Sequence, residues 1–97
     1  MRLDLSKWAQ STIEIYQSED WTDAPEILSV LAAWDGRALR FRREDAATIA
    51  RGLCEMSNSE DAHAEEAKRK HPECARMARW ACEGLSNAAM RVARMGA

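Results

Sequence analysis

Hydrophobic residues recur every three or four positions near the start of the chain, and this spacing predicts an amphipathic helix over about 4–17. Polar residues fill the opposite face of that helix. The buried stripe is predicted to contain Leu5, Trp8, Ala9, Thr12, Ile13 and Tyr16. Because the pattern stops at Ser18, we expect a turn to follow it.

A second helix is predicted over about 24–35. Asp23 suits the capping position, Pro25 suits the first turn, and Glu26 lies three residues after the cap. Gly36 tolerates the left-handed conformation that often ends a helix. The stripe facing the core is predicted to contain Ile27, Val30, Leu31 and Trp34.

The connector over 36–43 has a different pattern, in which Leu39 and Phe41 alternate with arginines. Alternation of this kind is typical of a short extended segment lying on a core. An irregular loop fits the residues equally well. No second strand is evident for the segment to pair with, and a lone strand does not form a sheet.

The second half of the chain predicts two long helices, over about 44–70 and 72–95. Glu44 and Asp45 suit a helix N-terminus, and Pro72 suits the first turn after a break at His71. The first stripe contains Ala46, Ile49, Ala50, Leu53 and Met56, continued by His63, Ala64 and Ala67. The second is a seam of Cys74, Ala78, Ala81, Leu85, Ala88, Val92 and Met95.

The two long helices would measure roughly 40 and 36 Å at 1.5 Å per residue. Their matched lengths and the tight turn between them predict an antiparallel helical hairpin. Ser57 and Asn58 are the weak point, because either could cap a new helix and split the first arm.

The predicted fold class is therefore all-α: a single helical domain over 1–97, with two short N-terminal helices packed on the hairpin. A chain of 97 residues removes only about two-thirds of its unfolded surface from water. We therefore expect a homodimer, in which a second copy covers Met77, Trp80 and Met90.

No segment resembles a membrane span or a secretion signal. The longest apolar run, Val30 to Trp34, is far shorter than the roughly twenty residues that cross a bilayer. No apolar stretch follows the first residues. The sequence thus predicts a cytoplasmic protein with no membrane partner.

Charge alternates in blocks along the chain. The net charge is −5 over 1–36, +4 over 37–43, −6 over 44–66 and +5 over 67–97, and the total is −2. Blocks of opposite sign favour a fold in which the acidic helix lies beside the basic one. Since exposed ion pairs contribute little free energy, the charges are expected to select the orientation of the helices.

Candidate chemistry is weak. His71, Cys74 and Cys82 follow one another along one helix, with His63 and Cys54 on the facing arm, but none has the close spacing of a zinc knuckle. Cys74 follows a basic run that favours a thiolate, yet it falls on the seam where packing would shield it. We expect reduced, packed cysteines, no metal, no cofactor and no catalytic activity.

The leading interpretation is a non-catalytic protein–protein interaction domain, a small inhibitor or adaptor that presents acidic helical faces to a basic surface. The partner would be another protein or a ribonucleoprotein complex. Trp21, in a polar stretch, suits either an interface anchor or a packing lid. The candidate partner-binding residues are Glu19, Asp20, Trp21, Asp23, Glu55, Glu60, Asp61, Glu65 and Glu66.

By analogy of class alone, small acidic proteins of phages and mobile elements include anti-defence inhibitors of the anti-CRISPR type, which block nucleic-acid-binding grooves. The alternative is a nucleic-acid-associated regulator that uses Arg37, Arg40, Arg42 and Arg43, although the pI of about 5.7 disfavours direct nucleic-acid binding. A further alternative is a structural subunit of a larger assembly.

Overall fold

The structure, a computed structural model, describes residues 1–19 and 24–97. This part of the chain is mostly helical, as the sequence predicts, with one small sheet. The elements in chain order are β1 (Arg2–Asp4), α1 (Lys7–Ser18), α2 (Pro25–Ala33), β2 (Ala38–Arg40), a short 3-10 turn (Arg43–Asp45), α3 (Ala46–Lys70) and α4 (Pro72–Met95).

The sheet is the main departure from the predicted fold. Strands β1 and β2 pair antiparallel, with Leu3 opposite Leu39, and the ammonium of Met1 donates a hydrogen bond to the carbonyl of Phe41 at 2.8 Å. The expectation that the connector has no partner strand is therefore wrong. A three-residue strand with one buried side chain has no measurable period, so its pattern cannot be recognised in the sequence.

The same strand moves the start of the first helix. Helix α1 begins at Lys7 and not at residue 4, because Ser6 is extended and its hydroxyl accepts a hydrogen bond from the Ala9 amide at 3.3 Å. The predicted stripe of α1 is otherwise confirmed at its centre, where the buried residues are Ala9, Thr12, Ile13 and Tyr16. Trp8 is only half-buried.

Helix α2 begins at Pro25, as predicted, and ends at Ala33, slightly before the expected end. Trp34, which is 6% exposed, leaves the helix and forms a β-bridge with Leu39. Gly36 follows with a φ of 97°. The turn is tight enough to require that left-handed conformation, which explains the glycine.

Helix α3 runs without a break through Ser57 and Asn58. The hydroxyl of Ser57 does not cap a new helix, because it donates to the carbonyl of Cys82 on α4 at 3.0 Å. His71 alone separates α3 from α4. Early residues of one helix contact late residues of the other: Arg43, just before α3, donates to the carbonyl of Ala97 just after α4.

Most of the predicted hydrophobic positions on the two long helices are buried. In α3 these are Ala46, Ile49, Ala50, Leu53, Met56 and Ala64, and in α4 they are Ala78, Ala81, Leu85, Ala88 and Val92. Cys74 is exposed instead of shielded, because Ala75 is the residue of the first turn of α4 that faces the core. Cys54 is exposed as well, so the expectation of packed cysteines is wrong for both residues.

The two short helices pack on one side of the α3–α4 pair, with α2 against α3 and α1 against α4. Both contacts are close. A Cβ atom at Gly52 would overlap the carbonyl oxygen of Glu26 on α2, and one at Gly84 would overlap the hydroxyl of Ser6. Glycine at these two positions allows the helices to approach closely.

Charge contributes little to the contact between the two long helices. Among residues 1–19 and 24–97, one ion pair joins α3 to α4, between Arg79 and Glu65 at 3.8 Å. Both side chains are more than half exposed, so their attraction is screened by water. Hydrophobic burial along the seam is the larger contribution to the packing.

Candidate functional site

A groove between the C-terminal half of α1 and the middle of α3 gathers part of the predicted acidic surface. It has a volume of about 490 Å³. We call it the acidic groove, and its main lining residues are Ile15, Tyr16, Glu19, Glu60, His63 and Glu66. Three of the predicted partner-binding carboxylates, those of Glu19, Glu60 and Glu66, therefore lie around one depression although they come from two helices.

Tyr16 forms the floor of the acidic groove. It is 5% exposed and hydrogen-bonds to the side chain of Ser59 on α3. Burial raises the pKa of Tyr16, and the hydrogen bond with Ser59 opposes that rise. The phenol is therefore neutral at physiological pH, and it links α1 to α3 beneath the carboxylates.

Glu60 has the most perturbed carboxyl of the groove. Burial raises its pKa, nearby His63 lowers it, and the negative charge of Glu19 raises it further. The charged form of Glu60 is thus held in an unfavourable environment. A cation entering the groove would relieve this, because an opposite charge favours the carboxylate.

The groove also has an apolar contact surface. Ile15 is 54% exposed at its edge, outside the buried stripe of α1, although isoleucine is among the residue types most often buried. An exposed branched side chain beside carboxylates resembles the mixed composition of protein interfaces, where apolar contacts are surrounded by charged ones.

Three more of the predicted acidic residues do not join the acidic groove. Glu55 lines a different groove between α3 and α4, Glu65 pairs with Arg79, and Asp61 is exposed. The predicted residues Asp20, Trp21 and Asp23 lie outside the described residues. Asp61 and Glu65 are four residues apart and share one face of α3, on the side away from the acidic groove, while Glu55 lies one turn before the groove begins at Ser59.

The arginines of the connector do not form one free basic patch. The guanidinium of Arg40 pairs with Asp35 at 2.6 Å, that of Arg43 donates to the Ala97 carbonyl at 2.7 Å, and that of Arg42 lies 4.0 Å from Glu44. Arg37 is exposed at the turn. Three of the four cations thus face oxygens of this chain, Arg40 and Arg43 closely and Arg42 at 4.0 Å.

Asp35 holds this turn together. Its carboxylate accepts hydrogen bonds from the backbone amides of Ala38 and Arg37, at 2.9 and 2.8 Å, and it also pairs with Arg40. These interactions, the Ala38 amide first, lower the pKa of Asp35 to about 2. The carboxylate of Asp35 is therefore negatively charged at any ordinary pH, and it partly neutralises the positive charge of the connector arginines.

The cysteines and histidines are dispersed. Cys82 lies against Ser57, with Sγ 3.2 Å from Oγ, while His71 lies 3.9 Å from Glu73 at the turn. Within the described ranges, no three His, Cys, Asp or Glu side chains are placed to hold a metal ion together. In the same ranges, no helix combines the length and the apolar character needed to cross a bilayer.

Two features of the molecular surface are not among the predictions made from the sequence. The rings of Trp8 and Trp80 contact each other across α1 and α4, and Ile15 faces out beside the acidic groove. No local signal reports either feature, since both depend on which helices become neighbours. Comparison with protein-family models, with curated proteins and with solved structures finds no match to this chain.

Proposed function

We propose that this protein is a non-catalytic interaction domain, an inhibitor or adaptor that binds a basic surface of another protein or ribonucleoprotein through the acidic groove. One observation carries the proposal. Carboxylates from α1 and α3 converge around a depression whose edge presents the exposed Ile15. The groove offers both charge and apolar contact to a partner.

Electrostatics supports a cationic partner. Glu19 and Glu60 create a negative potential that attracts lysine or arginine side chains and speeds their encounter with the groove. Glu66 lies 3.9 Å from Lys70 of the same helix, an exposed pair that is weak enough to be exchanged for a partner's cation. The partly buried Glu60 gains most from such a contact, because burial disfavours its charge in the free protein. Ile15 supplies contact area that does not depend on salt.

The proposal extends to how the protein works. A domain that places carboxylates in the basic groove of a partner competes with the phosphates that such grooves bind. Inhibition by occupying a nucleic-acid-binding groove, the class analogy drawn above, needs no active site. The α3–α4 pair serves as the antiparallel hairpin that supports the groove, and we propose that the protein is a homodimer.

The test compares two matched double variants. Glu19→Gln with Glu66→Gln removes two of the three carboxylates of the acidic groove, while Glu44→Gln with Glu83→Gln removes two exposed carboxylates elsewhere. Each protein is tagged, used to capture partners from cells that encode it, and then titrated calorimetrically with the purified partner at two salt concentrations.

We expect the wild type and the control variant to bind the same protein, with affinity that falls as salt rises. The groove variant should bind at least about tenfold more weakly than the wild type, a loss of binding free energy of about 1.4 kcal/mol or more. Equal affinity of the groove variant and the wild type would show that the partner binds elsewhere.

A further inference from the structure

We propose that the side of the α3–α4 pair opposite α1 and α2 binds a second copy of this chain. This inference specifies the surface of the homodimer named in the proposed function. The surface centres on an open groove of about 420 Å³, which we call the α3–α4 groove. Its relevant lining residues are Ala50, Arg51, Cys54, Glu55, Ala89 and Met90.

The α3–α4 groove is apolar along its floor and exposed at its edge. Ala50 and Ala89 are buried, with small side chains that leave a depression, whereas Met90 is 51% exposed and Cys54 is exposed. Among residues 1–19 and 24–97, only residues of α3 and α4 line this groove, and no further element covers Cys54 or Met90. Met90 from a second copy has the length and flexibility to fill the depression.

The charges at the edge are self-complementary. Arg51 and Glu55 lie one helical turn apart, yet within the described residues no ion pair joins them; the Arg51 guanidinium instead donates to the Thr48 hydroxyl at 3.4 Å. A two-fold axis between Arg51 and Glu55 brings each arginine to the other copy's glutamate. The surface therefore fits a second copy in one orientation.

The outer face of α4 fits a second copy less well. Across a two-fold axis near the middle of α4, Arg76 of one chain would face Arg94 of the other, and like charges would repel. Trp80 on that side already contacts Trp8 of the same chain. Met77, Trp80 and Met90, which the sequence analysis assigned to one interface, thus lie in different surroundings.

The α3–α4 pair is large enough for a stable interface. The molecule measures 41 × 25 × 20 Å along its principal axes. Its long side accommodates the about 800 Å² per partner that a standard interface buries. The expected assembly packs two α3–α4 pairs face to face.

Cross-linking through a native thiol tests the geometry. In the proposed dimer Cys54 lies beside the two-fold axis, close to the other copy's Cys54. One variant, Cys74→Ser with Cys82→Ala, keeps only that thiol, and its matched control, Cys54→Ser with Cys82→Ala, keeps only the exposed Cys74. Two copper(II) phenanthroline complexes each accept one of the two electrons released as two thiols lose their protons to solvent and form a disulfide, and the copper is reduced to copper(I).

We expect rapid covalent dimer from the Cys54-only variant and little from the Cys74-only control, since a disulfide needs Cα atoms within about 7 Å. Light scattering of unmodified protein should give twice the chain mass of 10.9 kDa. Arg51→Glu and Glu55→Arg should each weaken the dimer about tenfold. The double charge swap should restore it, and circular dichroism checks that every variant is helical.

Two results would overturn the inference. The first is that Arg51→Glu dimerises with unchanged affinity and the Cys54-only variant cross-links no faster than the Cys74-only variant. The dimer would then use another surface. If a charge variant is unfolded, the comparison of cross-linking rates through Cys54 and Cys74 is the deciding measurement. A monomer at all micromolar concentrations removes this interface and the homodimer together, whereas partner binding by the acidic groove is measured separately and can stand without either.

Discussion

The indole rings of Trp8 and Trp80 lie with their centroids 5.3 Å apart and their planes inclined by 37°. Trp8 comes from α1, near the start of the chain, and Trp80 from α4, near its end. The contact is at the surface, since Trp80 is 43% exposed. It attaches the first helix to the last one and covers the close approach of α1 to Gly84.

Removing either ring should loosen this attachment. We expect Trp80→Ala to lower the free energy of unfolding by about 1–2 kcal/mol, because the ring is only partly buried. In a double-mutant cycle, Trp8→Ala and Trp80→Ala should show a coupling of about 0.5–1.5 kcal/mol, measured by urea denaturation. Additive effects would show that the rings are neighbours without a specific interaction.

Alanine in place of Gly52 should destabilise the protein although alanine favours helices. Its Cβ would overlap the backbone carbonyl of Glu26, which cannot move without displacing α2. We expect a loss of about 1–3 kcal/mol in thermal or urea unfolding. Gly84→Ala is the matched comparison, because its Cβ meets only the end of the Ser6 side chain, which can rotate at the cost of its capping hydrogen bond from the Ala9 amide, about 1 kcal/mol. An equal or smaller loss in Gly52→Ala than in Gly84→Ala would contradict the packing described for α2.

Glu60 should make stability depend on pH. Its folded pKa is raised, mainly by burial, so folding is disfavoured once the group ionises. The penalty is absent below the unfolded pKa, grows as pH rises through the folded pKa, and is complete above it. Glu60→Gln should therefore be more stable than the wild type at neutral pH, with a difference that disappears in acid.

Thermal unfolding across pH 3–8 checks this prediction, with the exposed Glu83→Gln as control. A Glu60→Gln protein that is less stable than the wild type at pH 7 would show that the attraction to His63 outweighs burial.

The connector arginines should bind duplex DNA or RNA weakly at most. Asp35 and the Ala97 carbonyl already engage Arg40 and Arg43. We expect no mobility shift at physiological salt. A regulator that used this segment would instead bind with a steep salt dependence, reduced by Arg40→Ala and Arg42→Ala but not by Arg76→Ala on α4.

Helix positions were largely predictable from the sequence because the signals that define them are local. The periodicity of α3, the proline of α4 at position 72 and the proline of α2 at position 25 each act within one or two turns. The residues of a helix that face its neighbours follow from the same period, which explains why Leu53 and Leu85 are buried as predicted.

The candidate site was only partly predictable. Charge blocks indicated that acidic residues matter, but they treated Glu55, Glu65 and Glu66 as one face. Glu65 points about 100° away from Glu66, whereas Glu55 points in nearly the same direction as Glu66 but lies three turns earlier along α3. The position of α1 then selects Glu60 and Glu66 as neighbours of Glu19. Exposure of Cys54 and Cys74 likewise depends on which elements cover them.

The sequence by itself determined where the long helices lie and which of their faces are apolar, since these follow from contacts between residues three and four apart. Only the tertiary structure decided the pairing of β1 with β2, the contact of Trp8 with Trp80, and the convergence of Glu19 with Glu60. Each joins residues far apart in the chain, and burial of the whole core, which no local pattern records, brings them together.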